Sequence, residues 1–426
     1  MYEDRYGNQL STNSSEAVTA YIEGVDLYLS ANVGADTAFK RAIELDPEFA
    51  LAHTGLARVF QVHARGLEAK AALEVANQLK PNVLPAEQRH IEHMTAVIKG
   101  RGAEAFQTGL QHLEDHPRDV LIAQTYLGVF SLIGFSGRND REQENFNMSS
   151  KLAPHYGDDW WFLSQHAFSL SEVGELADAE TALERALKLN PRNANGAHHR
   201  AHLLYELSET EAGLHFLEDW QKTYDRRALM HNHISWHLAL WALEMGDIER
   251  MWDVVDENLA PDVTSGPPLN VMTDMASLLY RASLAGVPIP EARWQGVSNY
   301  AQHYFSKPGL AFADVHSTLA HAMAGDQHAF DRIALGASGA TDQLVSSIAK
   351  GFEATSRNNW IRASSHFEKT LDNHAAVGGS RAQRDLIELA WAGAMAQRGK
   401  ASEACAALER RRPCISAEIA IAKPAT

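Results

Sequence analysis

Five prolines, Pro47, Pro81, Pro117, Pro154 and Pro191, stand 34, 36, 37 and 37 residues apart, and that period restricts the chain to repeat architectures. Each follows an amphipathic stretch and precedes a polar turn and a new periodic run, as in AFKRAIELDPEFALAH and GELADAETALERALKLNPRNANGAH. Proline cannot donate the helical hydrogen bond and its predecessor avoids the α region, so each proline is expected to end one helix and start the next turn. Within one unit Ala179, Leu183, Ala186, Leu187 and Leu189 keep the spacing of a single buried helix face, and Gly174 separates that helix from the one before it. The unit is therefore a helical hairpin.

Two helices in about 35 residues, with small residues at helix crossings and a closing proline, resemble the tetratricopeptide repeat. The expected fold is all-α, a tetratricopeptide-repeat-like superhelix of helical hairpins, or α-solenoid. HNHISWHLALWALEMGDIERMWDVV and later runs continue the helix, turn, helix pattern less regularly. Without a low-complexity linker, one solenoid is expected over residues 1–426, with regular repeats about 15–260, less regular ones about 261–412 and a tail about 413–426. Surface excursions are expected at Ser136 to Arg141 and at Pro267-Pro268.

Charge and cysteine content exclude other classes. With 38 Lys and Arg against 54 Asp and Glu, the net charge of −16 repels phosphate, so neither nucleic acid nor a membrane surface is an expected partner. Cys405 and Cys414 are too few for a disulfide framework, no leader pattern opens the sequence and no apolar run reaches ~18 residues, so a cytoplasmic location is expected. The oligomeric state is not legible.

The chain holds 21 histidines, nine of them between His155 and His237. His198 and His202 are four apart, as are His233 and His237, which puts each pair on one face of a helix. The pairs are 35 residues apart, the repeat period, so they occupy equivalent positions on the first helices of consecutive repeats and are expected to stack. The same offsets from Pro154 give Trp161 and Gln165, and the first offset from Pro267 gives Asp274. First helices line the concave face of such arrays, so these residues are expected on one groove wall. Paired imidazoles at this spacing suit a divalent metal such as zinc or iron, or acid–base chemistry without metal. The HExxH order of a metalloprotease is absent. Asp314 and His316 in FADVHSTLAH, and Gln383, Arg384 and Asp385 after the Gly378-Gly379 turn, are further candidates, with Arg384 suited to an anion.

These residues sit in a set of ordered motifs that resembles bacterial members of the tetratricopeptide repeat protein thirty-eight family over most of the chain. The motifs include LSTNSSEA, PAEQRHIEHMTAVIKGRGAEAF, AFSLSEVGELADAE, the two histidine pairs, SLLYR after Asp274, RWQ from Arg293, Asp314-Val315-His316 and Ala382 to Asp385. The family usually places Glu three residues after the second histidine of the first pair, where this chain has Tyr205, and the position of His166 is usually not histidine. The resemblance implies the fold and a polar groove of His, Asp and Arg, and no particular substrate.

The resulting expectation is a central groove that binds or acts on a small anionic molecule. His198, His202, His233, His237, Asp274 and His316 would be the catalytic set, with Trp161, Gln165, Asp314, Gln383, Arg384 and Asp385 contacting substrate. Hydrolysis or elimination is the expected chemistry, with the four paired histidines as ligands if a metal is held. The alternative is a non-catalytic scaffold that binds a peptide partner in its groove.

Overall fold

In the computed structural model, which describes residues 2–337, 339 and 341–411, the repeat is carried further than the prolines carry it. The expected tail and Cys414 lie outside the described residues. A residue with positive φ recurs at Ala31, Ala64, Gly100, Gly137, Gly174, Ser208, Gly246, Gly286, Gly325, Asn358 and Gly399, each between the two helices of one hairpin. The described residues thus form eleven hairpins, twenty-two α-helices from Ser15 to Arg411. Gly174 shows the role: at φ 89° its N–H bonds back to Leu170 and Ser171, and the chain reverses without a Cβ penalty. The only strands among the described residues are the two-residue pair Tyr2–Glu3 and Gln9–Leu10.

Two expectations change at the turns. Pro154 lies inside the helix Arg141–Tyr156, in its last turn, rather than between helices. The excursion expected from Ser136 to Arg141 is only partly one, since Arg138, Asn139 and Asp140 are exposed and Arg141 is buried, and the residues before it turn inward. Phe130 and Phe135 stack on each other and pack against Phe312, and buried Arg141 donates to the carbonyls of Ala375 and Gly379. An aromatic plug from the fourth hairpin is therefore inserted into the C-terminal hairpins.

First helices form the inner layer. His231–Glu244 is buried along nearly its whole length, whereas outer helices such as Leu176–Leu189 bury only one stripe. Helices approach closely where glycine removes a side chain. A Cβ on Gly213 would stand 2.4 Å from the Trp241 ring, with no flexible neighbour to yield. Gly213→Ala is expected to lower stability by about 2 kcal/mol, within the range for overpacking, read as a shifted urea midpoint at constant m.

The superhelix curls until distant parts meet. Ala194 donates its N–H to the Ser30 carbonyl, and the Tyr224 hydroxyl donates to Ala31 at 2.5 Å. At the other end, the helix Arg381–Gln397 packs against Ala194–Glu206 and Pro268–Leu284. No helix among the described residues is long and apolar enough to cross a membrane.

Candidate metal centre

Helix geometry turns the two histidine pairs into one cluster. His198 and His202 project from one face of Ala194–Glu206, and His233 and His237 from the adjoining face of His231–Glu244. One ring nitrogen from each lies within 4.8 Å of the others, and all four residues are buried. The Nε2 atoms of His198 and His202 are 2.9 Å apart, and neither ring nitrogen of His237 has a hydrogen-bond partner. Two nitrogens bound tetrahedrally to one ion at the usual zinc–nitrogen length lie roughly 3.3 Å apart. The observed span, from 2.9 Å to at most 4.8 Å, brackets that spacing, so the cluster fits an ion with small ring rotations.

The surroundings favour the metal-binding form of the imidazoles. Burial, and then the neighbouring histidines, holds His198, His202 and His237 well below their ordinary pKa, so they are neutral at pH 7. Asp274, from Pro268–Leu284, accepts from His233 Nδ1 at 2.8 Å, which leaves Nε2 of that ring as the lone-pair nitrogen. Burial raises the Asp274 carboxyl, and His233 opposes the rise. Trp236 stacks on His233 with centroids 5.2 Å apart and screens the cluster from one side.

A pH prediction follows from the three depressed histidines. The unfolded chain takes up protons as pH falls through the ordinary histidine range near 6.5, and these buried rings do not. Their contribution is fully present above that range and is lost as pH falls below it. The urea midpoint without metal is expected to drop between pH 7.5 and pH 5.5, and a flat profile would contradict their neutral burial.

Asp274 thus joins the four histidines, while His316 is buried but lies outside the four-nitrogen group. Its Nδ1 bonds to the Phe312 carbonyl at 2.7 Å rather than to Asp314, its Nε2 has no partner, and burial lowers it to about 4. Asp314 accepts from the Gly309 N–H at 3.1 Å, and burial raises it to about 6. Trp161 sits fully buried in the N-terminal apolar core against Tyr156 and Phe162. Gln165 is buried beside the Gly128 turn. Gln383 closes the capping box with Ser380, and Arg384 ion-pairs with Glu142 near Glu172. Asp385 accepts from the Tyr205 hydroxyl at 2.8 Å.

Three features escaped sequence reading. Arg281 reaches the Ala382 carbonyl and lies 3.4 Å from the Tyr205 hydroxyl, with its guanidinium over Trp236. Glu172 from Trp160–Val173 accepts the Arg381 N–H at the start of the helix Arg381–Gln397. His90 and His112 both bond to Asp119 Oδ2, at 2.7 and 2.9 Å, and against the cost of burial hold that carboxyl well below its usual range. Asp274, Ser277 and Arg281 at spacings of three and four were a readable signal. The Asp119 trio joins residues 29 and 7 apart, on no common helix face.

The fold and the cluster define a class: an all-α, tetratricopeptide-repeat-like superhelix with a buried four-histidine group able to hold a metal ion. No family model matches the chain. Similar solved structures include a human IFIT1 dimer with m7Gppp-AAAA, at 12% identity over 94% of this chain and 95% of that one, TM-score 0.43. The tetratricopeptide domain of P58(IPK) is 14% identical over 88% of this chain and 99% of that one, TM-score 0.22. Naa15/Naa10 bound to HypK-THB gives 13% identity over 94% of this chain and 64% of that one, TM-score 0.26. Likeness at this level carries no inference about ligands.

Proposed function

We propose that this chain is a metal-dependent enzyme of the tetratricopeptide repeat protein thirty-eight kind that acts on a small anionic molecule by hydrolysis or elimination. The observation that carries this reading is the cluster itself: four buried imidazoles from consecutive repeats, with ligand atoms within 4.8 Å and a carboxyl group behind one ring. Side chains serving only the packing of a solenoid have no need of four converging lone pairs. His198, His202, His233 and His237 would hold a divalent ion such as zinc or iron, which supplies Lewis acidity when bound. Asp274 keeps His233 in the ligating tautomer. Asp314, near 6, holds a proton exchangeable close to neutrality and is the chain's candidate acid or base. The buried inner helices keep bulk water from the centre.

The test is a metabolite-library thermal-shift and turnover screen on the wild type beside His202→Ala and His237→Ala. Responses to small anions in the wild type that vanish in both variants support the reading. Variants that keep every response reject it, and responses confined to peptides would favour the scaffold alternative.

A further inference from the structure

One face of the helix Pro268–Leu284 carries a row of polar groups beside the histidine cluster. Asp274, Ser277 and Arg281 follow at three and four residues, so their side chains project in line. Asp274 touches the cluster at His233, and Arg281 lies over Trp236, which itself packs on His233 and His237. Ser277 is placed between them. Each of the three is nine-tenths or more buried and each keeps one polar atom without a partner: Asp274 Oδ1, Ser277 Oγ and Arg281 Nε. His316, on the helix Ala311–Ala324 that packs against this one, feels the Arg281 charge and keeps an unpartnered Nε2. A buried guanidinium N–H and a buried hydroxyl left unsatisfied side by side cost free energy unless something accepts from them.

The chemistry of that acceptor is constrained. Each terminal nitrogen of Arg281 already donates once, to the Tyr205 hydroxyl and the Ala382 carbonyl, and Nε is the guanidinium nitrogen that has no partner. Charge sets the rest. The charged and titratable groups here are Asp274 and Arg281 on this helix, with His316 and Glu244 both feeling the Arg281 charge and Asp385 accepting from the Tyr205 hydroxyl that Arg281 also approaches. A divalent ion among the four imidazoles adds two positive charges, which Asp274 alone does not offset.

We infer that Ser277 and Arg281 form the anion-binding side of the histidine site and receive a small monocarboxylate, with one oxygen toward Ser277 Oγ and Arg281 Nε and the other toward the imidazoles. The inference rests on the metal reading above and names the ligand class for it. It also moves anion recognition from Arg384, which is engaged by Glu142, to Arg281.

The test uses the full chain loaded with cobalt(II), whose visible bands report ligands at the metal, titrated with acetate. Saturable band shifts in the wild type, weakened roughly tenfold in Ser277→Ala, as expected for losing one hydrogen bond to a charged group, support the inference. Ser277→Ala removes one oxygen and leaves the helix able to fold, and Arg281→Gln serves as a second variant with a larger expected loss. Cobalt binding with bands that acetate does not move, or moves equally in the wild type and Ser277→Ala, overturns the anion site and leaves the metal reading standing. Failure of cobalt to bind overturns both.

Discussion

Replacing both His202 and His237 by Gln is expected to abolish metal binding while leaving the apo fold in place. Four-ligand protein zinc sites are worth about 10–16 kcal/mol in apparent affinity, so each imidazole accounts for ~3 kcal/mol and two for ~10⁴-fold. The two residues come from different helices, so no intact pair survives to recruit the ion. Zinc at ~1,000 times its dissociation constant raises wild-type stability by about 4 kcal/mol, and the double variant should show none of that increment. Calorimetry with and without added zinc checks it, with the metal-free melting temperatures as the control for packing. Gln keeps most of the buried volume. A double variant that retains the full zinc-dependent increment would place the metal elsewhere.

The second large effect concerns the seam where the helix Arg381–Gln397 docks. Glu172 is buried, lies near Glu206, and is raised by burial and by that second carboxylate from 4.5 to about 7. The folded chain therefore holds a proton on Glu172 that the unfolded chain has released, and folding loses stability as pH rises from the ordinary carboxylate range to about 7. At ~1.4 kcal/mol per pH unit the loss amounts to about 3 kcal/mol above neutrality. Glu172→Gln keeps an acceptor for the Arg381 N–H and carries no charge. It is expected to be more stable than wild type by up to about 3 kcal/mol at pH 8 and indistinguishable from it near pH 4.5, measured by urea denaturation at both. Equal destabilisation at both pH values would mean that Glu172 is ionised in the fold and fully paired.

The proline period and the helical periodicity made the hairpin array legible, because both express local backbone rules that tertiary contacts do not override. The register of the two histidine pairs was legible for the same reason: side chains four apart share a helix face, and equivalent helices stack. Positive-φ turns were a weaker signal. Ala31, Ala64, Ser208 and Asn358 stand where seven other hairpins use glycine, and nothing in their identity announces a left-handed residue. The aromatic plug of Phe130 and Phe135 and the return of the helix Arg381–Gln397 were not legible, since they depend on how ten small inter-hairpin rotations accumulate. That accumulation also decides which polar groups meet, which is why the contacts of Arg281 with Tyr205 and Ala382, and of Glu172 with Arg381, emerged only in three dimensions. Histidine count alone misled in one respect. Thirteen of the 21 are buried, and most serve local hydrogen bonds, such as His199 to the Ser164 carbonyl and His93 between the Ala105 carbonyl and Thr125.

The most direct measurement is elemental analysis of the full chain, purified without chelator and without a polyhistidine tag, joined to X-ray absorption at the edge of whichever metal is found. Four converging buried imidazoles predict about one transition-metal ion per chain, with nitrogen scatterers at ~2.0–2.1 Å and no sulfur. A chain that carries no stoichiometric metal, takes up neither zinc nor iron on addition and shows no thermal shift with either would contradict a metal centre at His198, His202, His233 and His237.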